Sequence, residues 1–146
     1  MEDLKPPIQC AGTIIFKDNQ ILLVEEGEGS GHVTGMYGFP VGRIDDGESA
    51  RQTAVRELEE ETGLQTKDIE LLEYPSNVYE ADIPRKDGTT KRFSMTLFIC
   101  KNFTGGLLEQ GDNVRPLWVD VEELDKFKLL PNVKEAIGDA LNFLKK

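Results

Sequence analysis

The chain has 146 residues, 30% of them charged and 38% hydrophobic, and a formal net charge of -10 at pH 7. That length suits one domain with a full core, so residues 1–146 are read as a single domain. The acidic balance excludes long nucleic acids and anionic membranes as partners, but not a small phosphorylated substrate whose bound cation inverts the local field. No apolar run approaches the ~18 residues of a membrane span. Met1-Glu2-Asp3-Leu4-Lys5 is not a secretory signal, so the expected location is the cytoplasm.

In chain order, Gln9 to Phe16 and Ile21 to Glu25 read as strands joined by a turn at Lys17-Asp18-Asn19-Gln20. Glu26 to Gly35 is a Gly-rich loop expected to border a site. Phe39-Pro40-Val41-Gly42 reads as a strand end followed by a turn. Helix signals then bracket residues 49–63. Ser49 with Gln52 three residues later is a capping-box pattern, and Gly63 suits a left-handed stop. Ala50, Ala54 and Leu58 form one stripe that would pack on a sheet, while Thr53, Glu57 and Glu61 form another.

Farther on, Ile69 to Tyr79 reads as a strand. Phe93, Met95, Leu97 and Ile99 alternate with Ser94 and Thr96 as in a half-buried strand. Arg85-Lys86-Asp87-Gly88 and Lys91-Arg92 gather four cations around a hairpin turn. Leu117 to Val119 reads as a short strand and Val121 to Leu124 as a helical turn. Val133, Ala136, Ile137, Ala140, Leu141 and Leu144 mark an amphipathic helix, with Pro131 before it and Asn132 and Glu135 as its caps. Cys10 and Cys100 lie in apolar contexts and read as buried thiols. Interleaved strands with two main helices predict an α/β (α+β) domain whose mixed sheet is held between helices.

The chemistry lies in the first helix. Glu57, Glu60 and Glu61 stand at i, i+3 and i+4 and share one face. Three like charges there repel one another and weaken an isolated helix, so a cation should compensate them. A hard, oxygen-seeking ion such as Mg2+ suits them, because it takes carboxylates while keeping waters that a phosphate can displace. Arg56, four residues before Glu60, is placed to pair with it. A solvated acidic face is the bland alternative for such a helix.

These residues carry a family resemblance. Gly42, five residues, Glu48, seven residues, then Arg56-Glu57-Leu58-x-Glu60-Glu61-x-Gly63-Leu64 resembles the complete Nudix box. Seven fixed identities would coincide by chance about once in a million, so the likeness is specific even in a Glu-rich chain. Relatives often read Trp-x-x-Pro-Gly-Gly before the helix, where this chain has Tyr37-Gly38-Phe39-Pro40-Val41-Gly42.

The resemblance implies the Nudix fold, an α/β/α sandwich. It also implies hydrolysis of the pyrophosphate bond in a nucleoside diphosphate linked to another moiety, of the ADP-ribose or nucleotide-sugar type. The cofactor is Mg2+, with Mn2+ as a substitute. Carried over by position, Glu57, Glu60 and Glu61 hold metal, and the Val41 carbonyl adds a ligand. Glu57 and Glu60, with Arg56 orienting them, are the catalytic candidates. Gly42, Glu48 and Gly63 support the box. An additional acid in relatives comes from a loop whose counterpart here has Asn113 where glutamate is common, which leaves Glu109 and Asp112 as substitutes. Tyr37 and Phe39 are candidate stacking residues, and Arg85 and Arg92 candidate phosphate contacts. His32, the one histidine, reads as an exposed loop residue without a chemical role. The expected partner is a small nucleotide-type substrate, and many relatives form homodimers. Two other readings stand beside this one: a nucleoside triphosphate pyrophosphohydrolase that clears non-standard nucleotides, and a non-catalytic nucleotide-binding sensor. Sensors of this fold usually lose box carboxylates, and none is missing here.

Overall fold

The computed structural model describes residues 6–146, so Met1–Lys5 lie outside it. The described residues form seven strands: β1 Ile8–Lys17, β2 Gln20–Glu26, β3 Tyr37–Gly38, β4 Val41–Arg43, β5 Val78–Pro84, β6 Thr90–Cys100 and β7 Val114–Asp120. Helix α1 spans Ala50–Thr62 and helix α2 Val133–Leu144, with short 3-10 turns at Asp68–Glu70 and Val121–Lys126. The sheet is mixed, running β3-β2-β1-β6-β5, with β4 also on β1 and β7 also on β2. This is the α+β sandwich expected.

Strand β1 organises the sheet. One edge pairs with β6 in parallel, from Ile8 opposite Phe93 to Ile15 opposite Cys100. The other edge is shared. Cys10 to Gly12 pair with β4, and only Phe16 and Lys17 pair with β2. Beyond that short junction β2 diverges from β1 and pairs instead with β7 and β3. The sheet therefore splits where β4 and the far end of β2 separate.

Period-two alternation assigns the two faces. Cys10, Ile14 and Phe16 of β1, Ile21 and Leu23 of β2, and Phe93, Met95, Leu97 and Ile99 of β6 join the core beneath α2. Ala11, Ile15, Leu22, Phe98 and Cys100 point the other way, onto Ala54 and Leu58 of α1. Each large apolar side chain buried this way contributes roughly 1.5–3 kcal/mol. Cys10 and Cys100 are free and buried.

The start of α1 is as expected, and that of α2 is not. At α1 the capping box is complete: Ser49 Oγ accepts from the Gln52 N–H at 3.1 Å, and the Gln52 side chain accepts from the Ser49 N–H at 2.8 Å. Gly63 closes the helix in the left-handed region, at φ 85°. At α2 the expected side-chain cap is absent. Asn132 sits at φ 70°, and its amide donates to the Glu80 carbonyl at 3.0 Å, tying α2 to β5 instead.

The strand expected over residues 69–79 is also corrected. Ile69 lies in the 3-10 turn, and Leu72 makes a single bridge to Ile99. Regular pairing begins only at Val78. Pro75 has no N–H to donate and Ser76 adopts φ 62°, so the chain turns where alternation alone predicts extension.

Candidate active site

A cavity of about 300 Å³ opens at the split in the sheet. Its floor is apolar, with Phe39, Ile83, Phe93, Met95, Leu97 and Leu130 among the lining residues. The mouth is polar. It gathers Glu61 from α1, Val41, Gly42 and Arg43 from β4, Glu26 from the end of β2, and His32, Arg85, Asp112 and Asn113 from loops. An apolar chamber with a few convergent polar groups is the usual form of a small-molecule site.

One guanidinium holds the box together. Arg56 donates to both carboxylate oxygens of Glu48, from Nε at 2.8 Å and from Nη2 at 2.9 Å. Its Nη1 donates to Glu57 Oε1 at 2.9 Å and to Glu60 Oε2 at 3.2 Å, and Nη2 also reaches the Arg43 carbonyl at 3.2 Å. Glu48 Oε1 further accepts from Thr53 Oγ1 at 2.7 Å and from the Asp45 N–H at 3.2 Å. The hydrogen bonds from Arg56, then that from Thr53, pull the Glu48 carboxyl down to about 2. Glu48 is thus a permanent anion that orients Arg56, and Arg56 orients Glu57 and Glu60. This is a wider role for Arg56 than the single i,i+4 pair expected from spacing.

Gly42 has a steric reason. A Cβ there would lie 2.0 Å from the Glu57 carboxyl carbon, so the missing side chain lets that carboxylate nest against β4. Val41 occupies the position where relatives often have glycine. Its backbone is not among the positive-φ residues, so a β-branched side chain fits without strain. Gly111 plays a similar part beneath α1, where a Cβ would meet the Glu61 carbonyl oxygen at 2.1 Å.

The carboxylates are poised differently. Burial pushes Glu57 up, with nearby Glu60 adding to the effect and Arg56 opposing it. Burial pushes Glu61 well above the usual carboxylate range, helped by Glu57 and then Glu26, while a hydrogen bond from the Val41 backbone pulls the other way. The Glu61 Oε2 atom is buried with no hydrogen-bond partner. Such an orphaned acceptor costs about 1–3 kcal/mol, and more when charged. Glu59 is exposed.

These observations test the fit of a divalent cation. All the donors are oxygens, which suit Mg2+ or Mn2+ over softer ions. An orphaned, enclosed carboxylate oxygen is where such an ion would remove the penalty. Among the described residues no three acidic, His or Cys side chains form a cage by themselves. An ion such as Mg2+ would therefore have to complete its shell with water and substrate phosphate. The residues fit the cofactor.

The loops redistribute the other candidates. Asp112 lines the cavity, and its N–H donates to the Glu60 carbonyl at 3.3 Å; Glu109 is exposed and lies outside the lining. Phe39 and Arg85 line the cavity, whereas Tyr37 and Arg92 do not. Tyr37 packs edge-on against Phe127 with ring centroids 5.0 Å apart, and Arg92 pairs with Asp82 at 3.0 Å on the exposed hairpin. His32 is half-buried rather than exposed as expected. It lines the cavity, packs edge-on against Phe93 at 5.5 Å, and accepts from Arg85 Nη1 at 3.1 Å through Nδ1. Burial, then Arg85, pushes its pKa down to about 4, so the ring is neutral at physiological pH.

The hairpin tip is docked as well. Lys86 donates from its backbone to the Gly31 carbonyl at 3.1 Å and from Nζ to the Gly27 carbonyl at 2.8 Å and the Glu28 carbonyl. Two of the four hairpin cations therefore serve the cavity wall, which spacing alone could not distinguish from a solvated turn.

Sequence reasoning missed Glu26. It is 7% exposed, lines the cavity, and its Oε2 accepts from Ser30 Oγ at 2.5 Å. The signal was available. Glu26 has the parity of Leu22 and Val24, which turns it toward the α1 face, and a carboxylate at a core-facing strand position is anomalous.

Comparison with known proteins agrees with this geometry. The family model described as the NUDIX domain matches residues 6–140. An ADP-ribose pyrophosphatase of Methanocaldococcus jannaschii is 32% identical over 124 residues, covering 84% of this chain and 67% of that protein. An 8-oxo-dGTP diphosphatase of Proteus vulgaris is 31% identical over 96 residues, covering 66% of this chain and 81% of that protein. Among solved structures, a MutT NUDIX hydrolase from Burkholderia pseudomallei superposes with TM-score 0.73 at 20% identity, over 92% of this chain and 98% of that one. The chain spans only 20% and 28% of the length of two other curated relatives. No described helix is long and apolar enough to cross a membrane. With its complete box folded into one hydrogen-bonded unit and a family match over residues 6–140, the chain belongs to the NUDIX family.

Proposed function

We propose that this chain, as a single domain over residues 1–146, catalyses divalent-metal-dependent hydrolysis of a pyrophosphate bond in a nucleoside diphosphate linked to another moiety. The substrate class is that of ADP-ribose or a nucleotide sugar, and the cellular compartment the cytoplasm. The observation that carries this reading is the enclosed, unpartnered Oε2 of Glu61 beside Glu57 at the mouth of the cavity. Resemblance to the Methanocaldococcus jannaschii ADP-ribose pyrophosphatase supports the substrate class.

Glu57, Glu60 and Glu61 would hold Mg2+ or Mn2+, with the Val41 carbonyl as a further ligand. The ion, when bound, neutralises charge on the phosphoryl oxygens and activates water. The chain's own residues do the rest. Arg56 fixes the directions of Glu57 and Glu60, and Glu48 keeps Arg56 in register. Glu57, partly enclosed and held in direction by Arg56, is suited to receive a proton from the attacking water. Asp112, exposed at the cavity mouth, is the second candidate for that proton. The apolar floor at Phe39, Phe93 and Met95 accepts the flat, uncharged part of the substrate and excludes water there.

A second reading, pyrophosphohydrolysis of non-standard nucleoside triphosphates, is supported by likeness to a relative of that activity. About 300 Å³ is enough for one nucleobase and its sugar, and the Proteus vulgaris 8-oxo-dGTP diphosphatase is similar in sequence. A panel of ADP-ribose, nucleotide sugars, dinucleoside polyphosphates and normal and oxidised deoxynucleotides, with Mg2+ or Mn2+, decides between them. Hydrolysis of ADP-ribose or a nucleotide sugar with release of a nucleoside monophosphate is the expected result. Turnover confined to triphosphates selects the second reading. Tight binding without turnover of any substrate selects a non-catalytic sensor and refutes both.

A further inference from the structure

Glu26 lies outside the box, yet it belongs to the same electrostatic group. It comes from the last residue of β2, on the sheet face that α1 covers, and it lines the cavity with Glu61. Ser30 Oγ holds one carboxylate oxygen, Oε2, at 2.5 Å. No described cation lies within ion-pair distance of Glu26; Arg85 and Lys86 act on it only through space. A carboxylate buried without a cation carries a penalty of several kcal/mol, and here a second enclosed carboxylate with an orphaned oxygen faces the same cavity.

We infer that Glu26 is a further positioning carboxylate for the divalent cation, acting with Glu61 from outside the box and through the ion's retained water shell. The inference rests on the proposed metal platform. Two enclosed carboxylates on different elements, one with an oxygen lacking any partner, are satisfied together by one hydrated divalent ion. Glu61 would supply a direct oxygen, and Glu26 would accept from water that the ion keeps. Ser30 keeps the Glu26 carboxylate turned toward the cavity, and the Gly-rich loop that carries Ser30 is itself pinned by Lys86.

The test is Mn2+ titration of the purified protein, reading the free-ion signal by electron paramagnetic resonance without substrate. Glu26→Gln should weaken Mn2+ affinity about tenfold, the scale of losing an outer-shell partner. Glu26→Asp should recover part of that loss, and Ser30→Ala should weaken affinity a few-fold with the carboxylate still in place. Wild-type Mn2+ affinity in Glu26→Gln, with a change only in substrate KM, overturns the inference and makes Glu26 a substrate contact. Were Glu26→Gln to unfold, unchanged affinity in both Glu26→Asp and Ser30→Ala would overturn it equally. Glu61→Gln separates the two levels. Lost affinity there with Glu26→Gln unaffected leaves the platform standing and removes Glu26 from it, whereas no loss in Glu61→Gln removes both.

Discussion

The two helices of this protein are held in opposite ways. Helix α2 buries Val133, Ala136, Ile137 and Ala140 and relies on apolar contact; its N-cap side chain is spent on β5. Helix α1 buries only Thr53, Ala54, Leu58 and Thr62, three of them small or polar, and relies instead on a complete capping box, a left-handed glycine stop and the Arg56–Glu48 fork. The difference reflects what each helix carries. An apolar face can seal a core but leaves nothing for chemistry. A face of carboxylates is useful only when ends and neighbours hold it against its own repulsion.

The strongest challenge to that contrast is a charge-removing change on α1. Glu61→Gln should lower activity by roughly 100-fold or more, because an oxygen that would hold metal is lost. Its Tm should equal or exceed that of the wild type, since an enclosed carboxylate with one unpartnered oxygen is replaced by a neutral amide. Thermal melts beside initial rates read both; a large fall in Tm would falsify the view that α1 sacrifices stability for its site. The mirror experiment is Ile137→Ala on α2. It should cost about 2–5 kcal/mol in denaturant unfolding and leave kcat unchanged. A comparable loss of kcat would show that α2 does more than seal the core.

Two smaller effects sharpen the picture. Ser49→Ala should destabilise by about 1 kcal/mol, measured by urea unfolding, whereas Asn132→Ala should show no loss attributable to helix capping and only that of its bond to Glu80. The smallest effect involves the cavity wall. His32 has its folded pKa lowered from 6.5 to about 4, so the unfolded chain binds the extra proton between those values. Its stabilising contribution is complete above pH 6.5 and is lost as pH falls toward 4. Solvent screening at this half-exposed ring keeps the effect under about 1 kcal/mol. His32→Gln should flatten the stability profile between pH 6.5 and 4, and an unchanged slope would place the acid sensitivity elsewhere.

What could be read from the chain depended on range. The α1 boundaries, the Arg56–Glu60 pair and the alternation of β6 are local, so spacing revealed them. The strand expected from residue 69 failed because Pro75 and a left-handed Ser76 overrule a run of apolar residues. Among the candidate substrate contacts, Phe39 and Arg85 reach the cavity while Tyr37 and Arg92 do not, a distinction that depends on how the β5–β6 hairpin docks on the Gly-rich loop. Glu109 and Asp112 are three residues apart, and only the second comes to the mouth, where its backbone meets the end of α1.

Sequence by itself determined the carboxylate cluster: three carboxylates, a guanidinium, the caps and a glycine lie within 22 residues, and helical periodicity alone brings Glu57, Glu60 and Glu61 to one face. Tertiary structure decided what surrounds it. Glu26, His32 and Arg85 lie on a strand end, a loop and a hairpin tip, and they meet only because β2 leaves β1 after two paired residues and opens the sheet. Short-range spacing cannot encode a meeting set by the divergence of two strands, so the carboxylate cluster was legible along the chain and the cavity walls around it were not.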